Sequence, residues 1–229
     1  MKSYFKIFKL LFIINLIGSG FVFSQEKKIL LLPLSKKMIE LDRGTREMFK
    51  YNKMNLDSVN TKISELVTER FIRNFNEYKI ENIYDKPELK YLNDSLVFFQ
   101  KWNSFRVQEF ENSGKLGKTV ISNVPNENKN YIGRYIAQKF EDSIKNIVLK
   151  NNYINFVLIN KLEVKNQLNS NKKIIIHFEF YDKNAKRVYG GKQSTTISIT
   201  KRTYGNVFFY FLKNCLDSHF QNTKQNYFH

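Results

Sequence analysis

The chain has 229 residues, of which 42% are hydrophobic, and this is the composition of a folded protein rather than of a disordered one. Nine Gly and three Pro exclude collagen-like and proline-rich architectures, and a single Cys excludes an internal disulfide framework and every multi-cysteine zinc or iron–sulfur site. Lys and Arg outnumber Asp and Glu by 38 to 21, so the formal net charge is +17.

The first 24 residues have the pattern of a secretory signal peptide. Three lysines lie ahead of and beside an apolar stretch over residues 10–17. Val22 and Ser24 fit the −3 and −1 positions of a cleavage site before Gln25, and cleavage after Gly20 is a second option. Because three Lys and no acidic residue would be removed, the net charge falls from +17 to +14.

A membrane anchor is the alternative interpretation of that segment. Polar residues and glycines interrupt it, so its apolar run is shorter than the roughly 20 residues that a spanning helix needs. No later stretch is long and apolar enough either, and no Cys follows the apolar stretch as it would in a lipoprotein. The N-terminus therefore predicts a periplasmic or secreted protein, cleaved near Ser24-Gln25, with no transmembrane segment after signal removal.

The next segments predict a strand, a helix and a second strand. Residues 28–34 are an apolar run with a Pro near its end, which is typical of a strand buried on both faces. Residues 35–56 are polar and predict a loop or a short helix. Asp57 or Ser58 then caps a helix, and residues 78–84 alternate as a half-buried strand does. The apolar stripe of the helix comprises Val59, Ile63, Leu66, Val67, Phe71 and Phe75.

Residues 85–130 predict an insertion of short helix and loop. Pro87 interrupts the chain, and Asn93 or Asp94 can cap a helix after it. Four aromatic residues in this segment could form an exposed binding platform, but we favour core positions, because large aromatic side chains drive burial. They are Phe98, Phe99, Trp102 and Phe105.

The remaining chain predicts a helix over about 130–150, three strands and a final helix. The strands cover 154–164, 173–182 and 187–200. Residues 183–186 have the polar composition of a hairpin loop. The final helix begins near Thr203, and we expect it to pack on the sheet and to be followed by a frayed tail at 223–229. Its stripe comprises Tyr204, Val207, Phe208, Phe211, Leu212, Cys215, Leu216 and His219 or Phe220.

This element order defines the expected fold class. A strand–helix–strand unit implies a parallel crossover, and three consecutive strands imply an antiparallel meander. The fold is therefore expected to be α/β (α+β), with a mixed five-stranded sheet, three main helices packed on it and one helical or loop insertion. Residues 25–222 would form a single domain.

Catalytic motifs with a fixed spacing are absent. The sequence contains no glycine-rich phosphate loop, no H-E-x-x-H and no G-x-S-x-G. Three His are too few for most histidine-based metal sites. We therefore predict no catalytic residue, no cofactor and no metal ligand, and an enzyme is not the favoured interpretation.

Two pairs of side chains nevertheless resemble catalytic pairs. Cys215 and His219 lie one turn apart on the last helix, but a thiolate nucleophile needs partial exposure and a positive field, so we interpret both as part of an apolar face. His177 and Glu179 share one face of a strand, where we favour a polar, solvated face over an acid–base pair. Asp182 is interpreted as a turn residue. A hydrolase that uses Glu179, His177 or Asp182 is the third functional hypothesis.

The positive charge has two interpretations. Lysines in scattered pairs, without a run of five or more, are typical of an AT-rich coding sequence, which we favour. The functional alternative is attraction to an anionic envelope polymer, either peptidoglycan or lipopolysaccharide. Nucleic acid is not expected as a partner, because its specific readers rely on Arg. The candidate polymer contacts are Lys172, Lys173, Lys183, Lys186, Arg187 and Lys192.

Six segments carry a resemblance to a known group of proteins. They are KKILLLPL, TKISELVTERFIRNF, YKIENIYD, YINFVLINKLEV, KKIIIHFEFYD and KRVYGGKQSTTISI. This pattern is similar to the α/β module of bacterial envelope proteins of the LpoB, CsgG and TolB N-terminal type, over residues 27–84 and 131–220. The resemblance implies a non-enzymatic adaptor that binds an envelope protein partner. The first functional hypothesis is therefore an exported protein-interaction module, and the second is a binder of anionic polymer.

Overall fold

The computed structural model describes most of the chain that follows the predicted signal peptide. The described residues are 26–92, 95–97, 99–100, 131–167, 171–184, 186–200 and 202–227. The signal peptide predicted at 1–24 lies outside them, and so do Phe98, Trp102 and Phe105 of the predicted insertion.

The chain forms a mixed sheet with helices on both faces, so the fold class is α/β, as the sequence predicts. In the first part, β1 covers Lys28–Leu32, β2 Ile39–Leu41, α1 Arg43–Tyr51, α2 Leu56–Asn74 and β3 Lys79–Asn82. In the second part, α3 covers Tyr131–Lys150, β4 Tyr153–Asn166, β5 Asn171–Asp182, β6 Arg187–Ser198 and α4 Gly205–Tyr227. Short 3-10 turns occupy Lys36–Met38, Ile83–Asp85 and Pro87–Leu92.

The strand order of the sheet is β3-β1-β4-β5-β6. β1 is parallel to β3 and to β4, which confirms the crossover, and β4, β5 and β6 form the expected antiparallel meander. The sheet of the described residues has six strands rather than the predicted five, because the unpredicted β2 pairs in parallel with β4 through Ile39–Leu41. The chain leaves the sheet after β1, turns through Lys36–Met38 and pairs again further along β4, so two short strands share one edge of a long one.

One face of the sheet carries α2 and α4. The α2 stripe is fully buried at five of its six predicted positions, and Leu66 is partly buried. The rings of Phe71 and Phe75 stack with their centroids 4.5 Å apart, and Phe220 of α4 meets Phe71 edge-on at 5.4 Å. Full burial of side chains of this size stabilises the layer by about 2–3 kcal/mol each, so this aromatic cluster dominates the core.

The first turn of α4 differs from its predicted stripe. Tyr204 and Val207 are 75% and 38% exposed. The inward residues of this turn are Phe208 and Phe209, whose rings lie 5.1 and 6.0 Å from the ring of Phe49 in α1. Because those two rings fill the space between the helices, the predicted positions at Tyr204 and Val207 face away from the core.

The end of α4 also differs from the prediction. The helix continues to Tyr227, so the part of the predicted tail over 223–227 is helical. Thr223 is fully buried, and its hydroxyl accepts a hydrogen bond of 2.9 Å from Gln193 Nε2 of β6. A tertiary bond at the end of the helix therefore extends it beyond the apolar stripe. In the described part of the chain, no helix is long and apolar enough to cross a membrane.

The opposite face of the sheet carries α3 and the described residues 87–92, 95–97 and 99–100. The buried side chains here form a second cluster, to which α3 contributes Phe140, Ile144 and Val148. Leu89, Leu92, Leu96 and Phe99 belong to the same cluster. The start of the predicted insertion is therefore part of the core, and Phe99 occupies the core position that its aromatic ring predicts.

Gln100 connects this layer to the sheet. Its side chain is fully buried, and Nε2 donates to the carbonyl oxygens of Pro33 at 2.7 Å and Ile159 at 3.0 Å. Ile159 precedes a register shift in β4, after which Lys161 pairs with His177. A β-bulge leaves a backbone group without its ladder partner, and here a side chain supplies the missing donor.

Candidate functional site

The second face of the sheet becomes polar beyond the area that α3 covers. After the bulge in β4, Lys161, Glu163 and Lys165 alternate onto this face, where Lys161 lies opposite His177 of β5. Glu163 is at the centre of the group. One carboxylate oxygen lies 2.5 Å from Lys161 Nζ, and the other lies 2.9 Å from Lys165 Nζ and 3.3 Å from His177 Nε2.

The side chains in this group shift one another's pKa values. The hydrogen bond from His177, followed by those from Lys161 and Lys165, holds the pKa of the Glu163 carboxyl well below its usual range, although burial acts in the opposite direction. Burial alone would lower the pKa of Lys161, but its bonds to Glu163 and Glu40 outweigh burial and raise it. Glu163 therefore stays ionised as the shared anion of three basic side chains.

Glu179 lies on the same face but belongs to a separate group. Its carboxylate accepts a hydrogen bond of 2.6 Å from the Tyr181 hydroxyl and one of 2.9 Å from Arg187 Nη1. Burial, followed by the charge of Glu179, raises the pKa of the Tyr181 hydroxyl well above its usual value. Tyr181 thus remains a neutral donor at physiological pH.

The predicted solvated face is wrong for these two residues. His177 is 7% exposed and Glu179 is 3% exposed. Each binds a different partner rather than the other. Lys161 of β4 binds the Glu163 carboxylate that faces His177, and Arg187 of β6 binds the Glu179 carboxylate. The arrangement therefore holds charges in place, and His177 and Glu179 do not form an acid–base pair.

Asp182 ends β5 in the hairpin turn. Its carboxylate accepts from the backbone N–H groups of Asn184 at 2.8 Å and Lys186 at 2.9 Å, which makes it the turn residue that the sequence predicts. In the described part of the chain, no group of three or more His, Cys, Asp and Glu side chains could hold a metal ion.

The six candidate polymer contacts do not lie together. Lys172 and Lys183 flank opposite ends of β5, about 35 Å apart at the ~3.3 Å rise per residue of a strand. Lys173 and Lys192 are half-buried, Lys183 and Lys186 are exposed, and Arg187 is paired with Glu179.

Lys172 must be removed from the candidate set, because it is only 7% exposed. Its ammonium lies 2.9 Å from Asp42 Oδ1 and also contacts the Asn166 side chain. Asp42 is the N-cap of α1 and accepts a hydrogen bond of 2.7 Å from the backbone N–H of Thr45. Lys172 therefore holds the start of a helix in place.

Cys215 and His219 both face Thr195 of β6. His219 Nε2 lies 3.1 Å from the Thr195 hydroxyl, which also forms a hydrogen bond with the Cys215 thiol. Burial raises the pKa of the Cys215 thiol, and burial lowers the pKa of His219 to about 4. Both side chains are therefore neutral at pH 7, so neither a thiolate nor an imidazolium is present for nucleophilic catalysis.

The depressed pKa of His219 predicts a pH-dependent stability. Its folded pKa of about 4 lies below the ordinary 6.5, so the unfolded chain binds the proton first as pH falls. Stability should be lost between pH 6.5 and 4, by about 3 kcal/mol from this group. In urea denaturation at several pH values, His219→Gln should flatten this part of the profile. Cys215→Ala retains the imidazole and should retain the slope; equal slopes in native protein and His219→Gln would contradict the prediction.

An exposed aromatic surface lies where the end of α1 meets the start of α4. We call it the tyrosine patch, and it consists of Tyr51, Tyr204, Val207 and Tyr210, which are 61%, 75%, 38% and 62% exposed. The exposed areas of these four residues sum to roughly 400 Å², taking about 200 Å² for a whole aromatic side chain. The largest patch of a typical monomer measures about 300–600 Å² and is often functional.

The end of α1 positions the patch through a rigid helix cap. Lys53 adopts a left-handed conformation with φ of 56°, and the N–H of Met54 donates to the carbonyl of Phe49 at 2.9 Å. This arrangement is a Schellman cap, which fixes the direction in which the chain leaves the helix. The Asn52 amide donates to the carbonyl of Thr203 at 3.0 Å and so ties the cap to the residue before Tyr204.

Close packing beneath the patch completes its support. A Cβ on Gly205 would lie 2.4 Å from the Met54 sulfur, so only glycine allows this approach without displacing Met54. Phe209 lies below, with Lys62 Nζ 4.4 Å from its ring centroid. The exposed tyrosines thus stand on a fixed base, with the exposed cations Lys50 and Arg202 beside them in the chain.

Only part of the signal for this surface is present in the sequence. Tyr204 and Val207 fit a regular apolar stripe, and their exposure depends on the contact between Phe49 and Phe208, which is distant in sequence. No family model matches this chain, and a search of curated proteins finds no match either.

Proposed function

We propose that this chain is an exported, non-enzymatic cell-envelope protein that acts as a protein-interaction module. The observation that carries the proposal is the tyrosine patch, in which three large aromatic side chains are exposed on a rigid base. Tyr is enriched at the centres of protein interfaces, because its ring buries much area while its hydroxyl still bonds to water or to a partner. A preorganised patch also loses little conformational entropy on binding.

The proposal that the protein is exported is supported by the sequence. The segment 1–24 has the charge and apolar pattern of a signal peptide, and the chain resembles envelope adaptors of the LpoB, CsgG and TolB N-terminal type. The absence of a catalytic arrangement in the described polar face is compatible with an adaptor, since its carboxylates bind fixed cations.

The proposal predicts that the patch contacts a protein in the envelope. A photo-crosslinking residue placed at position 204 or 210 should form an adduct of discrete mass that proteases destroy. Placed at Tyr91, which is 67% exposed and lies in the turn at Pro87–Leu92, the same residue should form no such adduct. The combined change Tyr204→Ala with Tyr210→Ala should weaken binding of the captured partner by about thirtyfold or more, as loss of an interface hot spot of about 2 kcal/mol implies.

Three outcomes would contradict the proposal. They are no adduct at positions 204 and 210, equal adducts at position 91, and an adduct that resists proteases but is released by a glycan hydrolase. The last result would favour the polymer-binding alternative, for which the scattered arrangement of the candidate lysines offers little support.

A further inference from the structure

A cleft of about 460 Å³ lies beside β2 and shares no lining residue with the tyrosine patch. It is lined by Ile39, Glu40 and Leu41 of β2, by Arg46 of α1 and by Leu56 and Asn60 of α2. Side chains of a strand alternate between faces, so a cleft lined by three consecutive strand residues runs along the strand's edge. In the described part of the chain, β2 pairs with β4 alone, and its other edge has no strand beside it.

The backbone groups at this edge are those of Ile39 and Leu41. The N–H of Asp42 donates to the carbonyl of Val164 in β4 at 3.0 Å. Because the direction of backbone groups alternates along a strand, those of Glu40 also face β4, whereas those of Ile39 and Leu41 face the open edge. Unpaired edge groups of this kind are a template for an added strand.

The side chains around the edge supply a polar and a charged contact. Asn60 lines the cleft, and its Oδ1 is shielded from solvent and has no hydrogen-bond partner among the described residues, so this acceptor is left for a ligand that displaces its cover. Arg46 is exposed and forms no ion pair among the described residues, in contrast to Arg43, which pairs with Glu47 on the same helix. Glu40 is already held by Lys161. The free charge at the cleft is therefore positive.

We propose that this cleft binds an extended acidic peptide segment of a partner protein, added as a strand to the open edge of β2. Main-chain hydrogen bonds to Ile39 and Leu41 provide the register, and a carboxylate of the peptide binds Arg46. Apolar side chains of the peptide pack on Leu41 and Leu56, which are only partly buried. The inference rests on the proposed function only in that the ligand is a protein, because the site is separate from the tyrosine patch.

The first test uses a labelled, end-blocked eight-residue peptide of alternating Val and Glu, with binding measured by fluorescence anisotropy. Native protein should bind it, and Arg46→Glu should weaken binding roughly tenfold. Arg43→Glu is the matched control, because it changes the net charge equally on the same helix but lies outside the cleft lining. A peptide of alternating Val and Lys should not bind. No binding of the acidic peptide, or equal weakening by both Arg variants, would overturn the inference.

The second test addresses the added strand. N-methylation of alternate peptide bonds removes the main-chain donors and should abolish binding, and hydrogen exchange at the N–H groups of Ile39 and Leu41 should slow in the complex. Unchanged binding of the methylated peptide, or its displacement by a uronic-acid oligosaccharide at equal concentration, would overturn strand addition in favour of a simple anion site.

The two proposals can fail separately. The variant with Tyr204→Ala and Tyr210→Ala should bind the acidic peptide as native protein does. Loss of peptide binding in native protein with intact crosslinks at 204 and 210 removes only the cleft, and the reverse pattern removes only the tyrosine patch.

Discussion

Glu163→Gln is expected to lower the free energy of unfolding by about 3–5 kcal/mol at pH 7. The carboxylate is 6% exposed and is bound by Lys161, Lys165 and His177. Removing the shared anion leaves the Lys161 ammonium with only the exposed Glu40 as counter-charge and leaves His177 without the carboxylate that it faces. Losing a buried counter-charge is more costly than losing a pair at the surface. The loss should be measured by urea denaturation, with the slope of the transition unchanged.

Glu40→Gln is the matched control. Glu40 binds the same Lys161 ammonium at 2.8 Å, but its side chain is 63% exposed, so water screens the pair and the expected loss is below about 1 kcal/mol. Equal losses in the two variants would show that burial is not the cause.

Native protein and Glu163→Gln should also differ in how their stability depends on pH in the acid range. The folded pKa of Glu163 is depressed, so its stabilisation is fully present above the ordinary pKa of about 4.3 and is lost as pH falls below it. Glu163→Gln should lack this contribution to the loss of stability at low pH. Most of this loss occurs below pH 4, whereas His219 acts between pH 6.5 and 4, so the two contributions can be distinguished.

Phe71→Ala is expected to lower the free energy of unfolding by about 3–5 kcal/mol. The Phe71 ring is fully buried and contacts Phe75, Phe220 and Phe180 at centroid distances of 4.5, 5.4 and 6.2 Å. It therefore joins α2, α4 and β5, and truncation leaves a cavity where three elements meet. Urea denaturation should show a lower midpoint with a similar slope.

The neighbouring residue provides the control for this cavity. Ile72 is 41% exposed on the outer side of α2, and Ala favours a helix, so Ile72→Ala should change stability by less than about 0.5 kcal/mol. A small loss for Phe71→Ala, or a loss as large for Ile72→Ala, would contradict the assignment of this face as the core.

Periodicity predicted most of the fold, because burial leaves a repeat in the sequence. The α2 stripe faces the sheet, and the alternating residues of β5 divide between its two faces as the period of two requires. Ile39–Leu41 could not be predicted in this way, since three residues are too few to show a repeat. That strand exists because β1 ends early and leaves part of the long β4 edge open.

The candidate sites depend on contacts that join distant parts of the chain. The sequence showed that His177 and Glu179 share a face, but the Lys161 and Arg187 side chains that bury and neutralise this face lie on neighbouring strands. Lys172 belongs to a pair of adjacent lysines, yet its partner Asp42 lies 130 residues away. Local patterns give the direction of a side chain, whereas its partner is set by the tertiary fold.

The position of β1 has a consequence for how the protein folds. Lys28 pairs on one side with Lys79 of β3 and on the other with Tyr153 of β4, so this interior strand comes from the start of the described chain, while its neighbour β4 lies about 125 residues later. The meander of β4, β5 and β6 closes only short loops and can form early. Insertion of β1 between β3 and β4 requires closing the longest loops, with the greatest loss of chain entropy, so this step should limit the folding rate.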